Sequence, residues 1–129
     1  MFSCFAAEVP VKDDPSTSMN MKLINELKEA DHVLICGQVF LHLDTLLFCV
    51  TFRYSFYLLQ ALSHCVNHSV RHLVSQWEPE HMHKLVILKD GSSSVAGFEK
   101  DGELFLKDMA EKGVTICTTA EVTQLMGKM

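Results

Sequence analysis

Cys65 opens an amphipathic stretch, CVNHSVRHLVSQW. In it Val66, Val70, Leu73, Val74 and Trp77 form one stripe, with Asn67, His68, Arg71 and Ser75 on the other side. A thiol in the first turn of a helix faces unpaired backbone N–H groups and the positive end of the helix dipole. Both stabilise the thiolate, the nucleophilic form. N–H groups of the same turn can also point at an oxyanion developing on an attacked carbonyl. The spacing therefore marks Cys65 as a candidate nucleophile. The plain alternative is an ordinary core cysteine, since free Cys is among the most buried residue types. Cys36 and Cys117, each inside a strand-like run, are assigned to the core on that ground.

Other chemistry-bearing residues are weaker candidates. His64, His68 and His72 recur at i, i+4 and i+8, along one side of a helix, and His81 and His83 follow in HMH. No carboxylate or cysteine joins them at metal-ligand spacing, so they read as a solvated face and not as a metal site. A sharper alternative pairs His64 or His68 with Cys65 as its base. Asp90 ends a strand, where ligand sites gather in open parallel sheets, but a helix-capping role fits it better. Ser92, Ser93 and Ser94 lack a Gly-rich cradle and read as loop and caps. Lys12, Asp13 and Asp14 precede the first helix and are assigned no chemistry.

The elements that must position Cys65 follow from periodicity. Ser16, Thr17 and Ser18 offer N-caps for a helix to about Ala30, with Met19, Leu23, Ile24 and Leu27 at helical spacing. HVLICG (32–37) and KLVILKD (84–90) read as strands buried on both faces, and VTICTT (114–119) as a third strand. The helix that Cys65 opens ends at Glu78-Pro79. GSSSVAGFEKDG leads into a helix at roughly 103–112 that Gly113 stops, and AEVTQLM forms a short last helix. Helices and strands alternating in this way imply an α/β domain with a three-layer parallel sheet flanked by helices.

Composition bounds the function. The chain has 129 residues, 48% hydrophobic and 21% charged, which suits one globular domain. A formal net charge of −5 gives no electrostatic reason to expect nucleic acid or an anionic membrane as partner. Cys4, Cys36, Cys49, Cys65 and Cys117 are odd in number, with no CxxC pair. That argues for free thiols in a reducing, cytoplasmic compartment. The N-terminal MFSCFAAE has no basic start and reaches Glu8 too soon for a signal peptide.

Residues 39–60, VFLHLDTLLFCVTFRYSFYLLQ, interrupt the pattern between the first strand and the helix of Cys65. Their length would suit a membrane helix, but Asp44 and Arg53 fall inside, each costing about 2.5–3.5 kcal/mol near a bilayer centre. As a loop the stretch far exceeds the usual span of about 2–6 residues. A third reading accounts for its composition. Phe, Leu, Tyr, Cys, Val and Ser have T-rich codons, Val codons begin GT, and Gln can be CAG, so the segment has the ends and body of an intron translated in frame. Twenty-two extra residues ending at Ala61 are then expected to remove strand support from the turn that follows.

With that stretch lifted out, DHVLICGQ joins ALSHCVNHSVRHLVSQW. Gly37, Gln38, Ala61, Leu62, Ser63, His64, Cys65 and Val66 then resemble the isochorismatase-like cysteine hydrolases, which include nicotinamidases. There a strand ends in Gly, a strained turn follows, and Cys-Val opens a helix. EVPVKDDPSTSMN and KDGSSSVAGFEKDGELFLKDMAEKGV are similar to the same family, and the likeness covers the C-terminal half or so of a family domain. The resemblance implies an N-terminally truncated isochorismatase-like fold. It also implies hydrolysis of the C–N bond of a small amide, nicotinamide to nicotinate first, within pyridine nucleotide metabolism. Cys65 would be the nucleophile, the N–H groups of Leu62 and Cys65 the oxyanion hole, and Ala61–Leu62 a cis peptide. Family members use an aspartate from the first strand and a lysine from a later one, and nicotinamidases bind a divalent metal through their first half. None of these motifs has a match here, so no cofactor is expected in this chain. Two readings stay open: a hydrolase of a small-molecule amide, as a monomer or a homo-oligomer, and a catalytically inert fragment or pseudoenzyme.

Overall fold

The structure, a computed structural model, describes residues 5, 12–14, 18–38, 50–51 and 54–127. Helix α1 spans Met21–Lys28. Its cap is Asn20, whose side-chain oxygen accepts the Leu23 N–H at 3.1 Å, in place of the expected Ser18, while Ser16 and Thr17 lie outside the described residues. Asn serves as well as Ser at this position because a short acceptor reaches the N3 amide. Strand β1 (His32–Gln38) follows, then β2 (Val50–Thr51) and β3 (Tyr54–Gln60). A π-helical turn (Leu62–Val66) leads into α2 (Asn67–Ser75), and a 3₁₀ turn (Pro79–Lys84) leads into β4 (Leu85–Ser92). The chain ends with α3 (Glu99–Glu111), β5 (Thr115–Cys117) and α4 (Thr119–Gly127).

The five strands form one sheet in the order β2-β3-β1-β4-β5. β3, β1, β4 and β5 are mutually parallel, and β2 pairs antiparallel with β3 at the edge. The expected alternation of helices and strands is present, with two strands added from inside residues 39–60. Far from leaving the turn at Ala61 without a strand, that segment ends in one: β3 lies against β1 over its full length and runs straight into Ala61. The earlier part, residues 39–49, including His42 and Asp44, lies outside the described residues, as does Arg53. Among the described residues no helix is long and apolar enough to cross a membrane.

Alternation along the strands splits the core in two. Val33, Ile35, Leu85 and Ile87 face one side, where they meet Ile24 and Leu27 of α1, Val70 and Leu73 of α2, and Phe105 and Met109 of α3. Leu34, Cys36, Val86, Leu88 and Cys117 face the other side with Val122 of α4. Fully burying side chains such as Phe105, Leu73 or Ile87 stabilises the fold by roughly 1.5–3 kcal/mol each. This is an α/β arrangement with helices on both faces of the sheet. Trp77 is buried, its indole N–H donating to the His81 carbonyl at 3.0 Å.

Local chemistry sets the ends. α3 stops where Gly113 takes a φ of +93°, with its N–H on the Ala110 carbonyl and the Val114 N–H on the Met109 carbonyl, both at 3.1 Å. That is the 5→2 and 6→1 pair of a Schellman motif, closed by buried Val114 and Met109. α3 begins at Glu99, four residues earlier than the apolar periodicity suggests, because its first turn is polar and exposed. α4 opens on a capping box: the Thr118 N–H donates to the Glu121 carboxylate at 2.7 Å, and the Glu121 N–H to Thr118 Oγ1 at 3.3 Å.

Candidate active site

The C-terminal ends of the parallel strands bring together the turn after β3 and the loop after β4, the edge where open α/β sheets bind ligands. Gln60 gives way to Ala61, which has φ 44° and ψ 120°. This is backbone that a residue with a Cβ adopts only under constraint. The Ala61 carbonyl accepts from the N–H groups of both His64, at 3.3 Å, and Val66, at 3.1 Å. That shared acceptor winds the chain into a wide first turn, which α2 continues. Cys65 lies in this turn as a half-buried free thiol, while Ala61 and Leu62 are buried. The sequence places Cys65 at the opening of the helix; the structure places it within the first turn, after Leu62 has begun it.

The turn is fastened to the loop after β4. The Leu62 N–H donates to the Ser93 carbonyl at 2.7 Å, and the Ser93 N–H donates to the Gly37 carbonyl at 2.8 Å. Ser92 Oγ accepts from the Gly37 N–H at 3.2 Å and donates to the Leu88 carbonyl at 2.7 Å. These bonds sit where the pairing of β1 with β4 jumps register, from Ile35 opposite Ile87 to Gly37 opposite Ser92. Ser63 is buried, and its Oγ accepts the Val95 N–H at 3.1 Å while lying 2.8 Å from His64 Nδ1. With the hydroxyl accepting from Val95, its own proton is free to go to an unprotonated Nδ1. The His64 ring meets Phe98 edge to face, with centroids 4.8 Å apart.

Two expectations for the turn are corrected. Among the described residues there is no cis peptide, so Ala61–Leu62 is trans, and the constraint resides in the positive φ of Ala61 instead. The Leu62 N–H already serves the Ser93 carbonyl and is not an open oxyanion donor.

The other candidates disperse. Cys36 and Cys117 are buried on the opposite face of the sheet, and burial pushes both thiols up from their ordinary range. His68 and His72 are half-buried on α2, and His81 and His83 are exposed with ring centroids 6.5 Å apart. Among the described residues no group of three or more His, Cys, Asp or Glu could hold a metal ion. Asp90 caps α4: Oδ1 accepts the Thr119 N–H at 2.8 Å and Oδ2 the Thr119 hydroxyl at 2.6 Å. Lys12, Asp13 and Asp14 are exposed, and Cys4 and Cys49 lie outside the described residues.

Sequence reasoning missed Ser63 and Phe98. Ser63 reads as one small residue between apolar Leu62 and His64, and only the fold brings Val95 to it. Phe98 reads as a loop aromatic, and only the structure shows that its ring is exposed and meets His64. Comparison with family models, with curated proteins and with solved structures finds no match to this chain.

Proposed function

We propose that Cys65 is the nucleophile of a cysteine hydrolase acting on a small amide, with nicotinamide the first candidate. The sulfur attacks the amide carbonyl carbon, the C–N bond breaks, and the nitrogen leaves as ammonia with a proton taken up from the thiol. Water then cleaves the thioester, giving the carboxylic acid and restoring the thiol. The observation that carries this reading is the placement of a half-exposed thiol in the first turn after a strained residue, at the carboxyl edge of a parallel sheet. The likeness of Gly37, Gln38 and residues 61–66 to the isochorismatase-like hydrolases supports it, and with it a truncated member of that fold. Three free thiols among the described residues fit a cytoplasmic setting.

A second reading, a binding protein without turnover, is favoured by one specific feature. The Leu62 N–H is committed to Ser93, and His64 Nδ1 is committed to Ser63, so the two groups nearest in sequence are occupied. Ammonia release from nicotinamide by the wild type and by Cys65→Ala decides between them. The hydrolase reading expects release that the substitution abolishes. Equal release from both proteins sinks the mechanism, and no release from either, with nicotinamide still bound, establishes the second reading.

A further inference from the structure

β1 and β3 run side by side with a constant offset. Each partner in β3 lies 22 positions after its partner in β1, from His32 with Tyr54 to Gln38 with Gln60. That offset equals the length of residues 39–60. Gln38 and Gln60 therefore stand at the same level of the sheet, about 4.8 Å apart as neighbouring strands are. In-register parallel partners also share a face, so Ala61 would leave Gln38 in the same pleat phase in which it leaves Gln60.

The turn after β3 leans over the end of β1. Leu62 is bonded to the Ser93 carbonyl, and Ser93 is bonded to the Gly37 carbonyl, so Cys65's turn docks on β1 although the chain reaches it from β3. The turn touches both strands. β1, with Val33 and Ile35 buried and its pairing to β4, already holds the centre of the sheet. β2 belongs to the same 39–60 segment as β3 and, among the described residues, pairs only with β3.

We infer that β1 and β3 are interchangeable approaches to the cysteine turn. A chain in which Gln38 joins Ala61 directly keeps the β1-β4-β5 sheet, both bonds of Ser93 and the half-exposed position of Cys65. The sheet then loses one edge and exposes one side of β1, while the site stays in place. This holds whatever Cys65 reacts with, so its failure and the failure of the hydrolase reading are separable.

Three deletions test it: residues 39–60, 39–59 and 39–61. Thermal melting is followed by circular dichroism, and alkylation of Cys65 by iodoacetamide is followed by peptide mass spectrometry. The 39–60 deletion is expected to melt cooperatively and at a higher temperature than either neighbour. Its Cys65 should react at a rate similar to the full chain's while Cys36 and Cys117 stay protected. One residue more or fewer prevents Gly37 and Leu62 from both reaching Ser93, so the other two deletions melt lower. The inference is overturned if the 39–60 deletion has no cooperative transition, or melts no higher than both neighbours, or buries Cys65.

Discussion

Leu62 and Ser93 are joined backbone to backbone at 2.7 Å, and the Ser93 amide passes the connection on to the Gly37 carbonyl at 2.8 Å. One residue of the loop after β4 thus ties the cysteine turn to the end of β1. A backbone bond contributes only about 1 kcal/mol net, but a buried carbonyl left without a partner costs about 1–3 kcal/mol. Gly37 is buried. Ser93→Pro removes the donor, and urea denaturation should show a loss of about 1–3 kcal/mol with faster alkylation of Cys65 as its turn loosens. An unchanged midpoint and unchanged labelling would show that the tie does not hold the turn.

Ala61 makes a second test of the same turn. Its φ of 44° costs a residue with a Cβ about 1–3 kcal/mol. Ala61→Gly removes that Cβ but loosens the unfolded chain by about 0.4–1 kcal/mol, so the variant should range from as stable as the wild type to about 2.6 kcal/mol more stable. Ala61→Val adds a β-branch to the same backbone and should lose about 2 kcal/mol or more. If valine is tolerated better than glycine, the turn is not strained at Ala61. Chemical denaturation of the three proteins gives the order.

The helix behind the loop has its own constraint. A methyl group on Gly102 of α3 would overlap Ser94 Oγ and touch the Leu62 side chain at 3.4 Å. An interior glycine forgoes about 1 kcal/mol of helix propensity relative to alanine, and here it lets α3 approach the loop. Gly102→Ala alone should therefore gain less than that amount, because the Ser94 hydroxyl must swing away. Adding Ser94→Ala removes the overlap and should recover the remainder. The double-mutant cycle is expected to show a favourable coupling of about 0.5 kcal/mol or more, and strict additivity would mean that the two residues do not meet.

Much of this was legible in the chain because it rests on local signals. The four apolar runs and stripes that became α1, β1, α2 and β4 carry their period in a few residues, and Gly113 marks its helix end by needing a positive φ that Lys112 does not supply. The thiol's place in a first turn follows from where that stripe begins. Illegible were the features set by pairing at a distance. That Tyr54–Gln60 forms a strand depends on β1 offering it a partner, since the segment alone reads as an apolar run of no fixed type. Ser63, Val95 and Ser93 converge only once β3 and β4 are both laid beside β1, and no periodicity links positions 63 and 95. The occupied Leu62 amide belongs to the same class.

At the far end of the site edge, acid should act through Asp90. Its carboxylate accepts both the hydroxyl and the N–H of Thr119, and the hydroxyl bond above all holds it below its ordinary value near 3.8. Glu121 is lowered likewise by the Thr118 N–H and hydroxyl. A carboxyl whose pKa is lower in the folded than in the unfolded chain contributes stability that is fully present above the unfolded value. That stability is lost as pH falls through it toward the folded one. Melting temperatures measured from about pH 6 down to about pH 3 should therefore fall more steeply for the wild type than for Asp90→Ala. The variant begins less stable at neutral pH, and the two curves close on each other in acid. Both carboxylates are open to solvent, so the difference is small and is read from the slope. Curves that stay parallel down to about pH 3 would mean that the bonds to Thr119 contribute nothing to the start of α4.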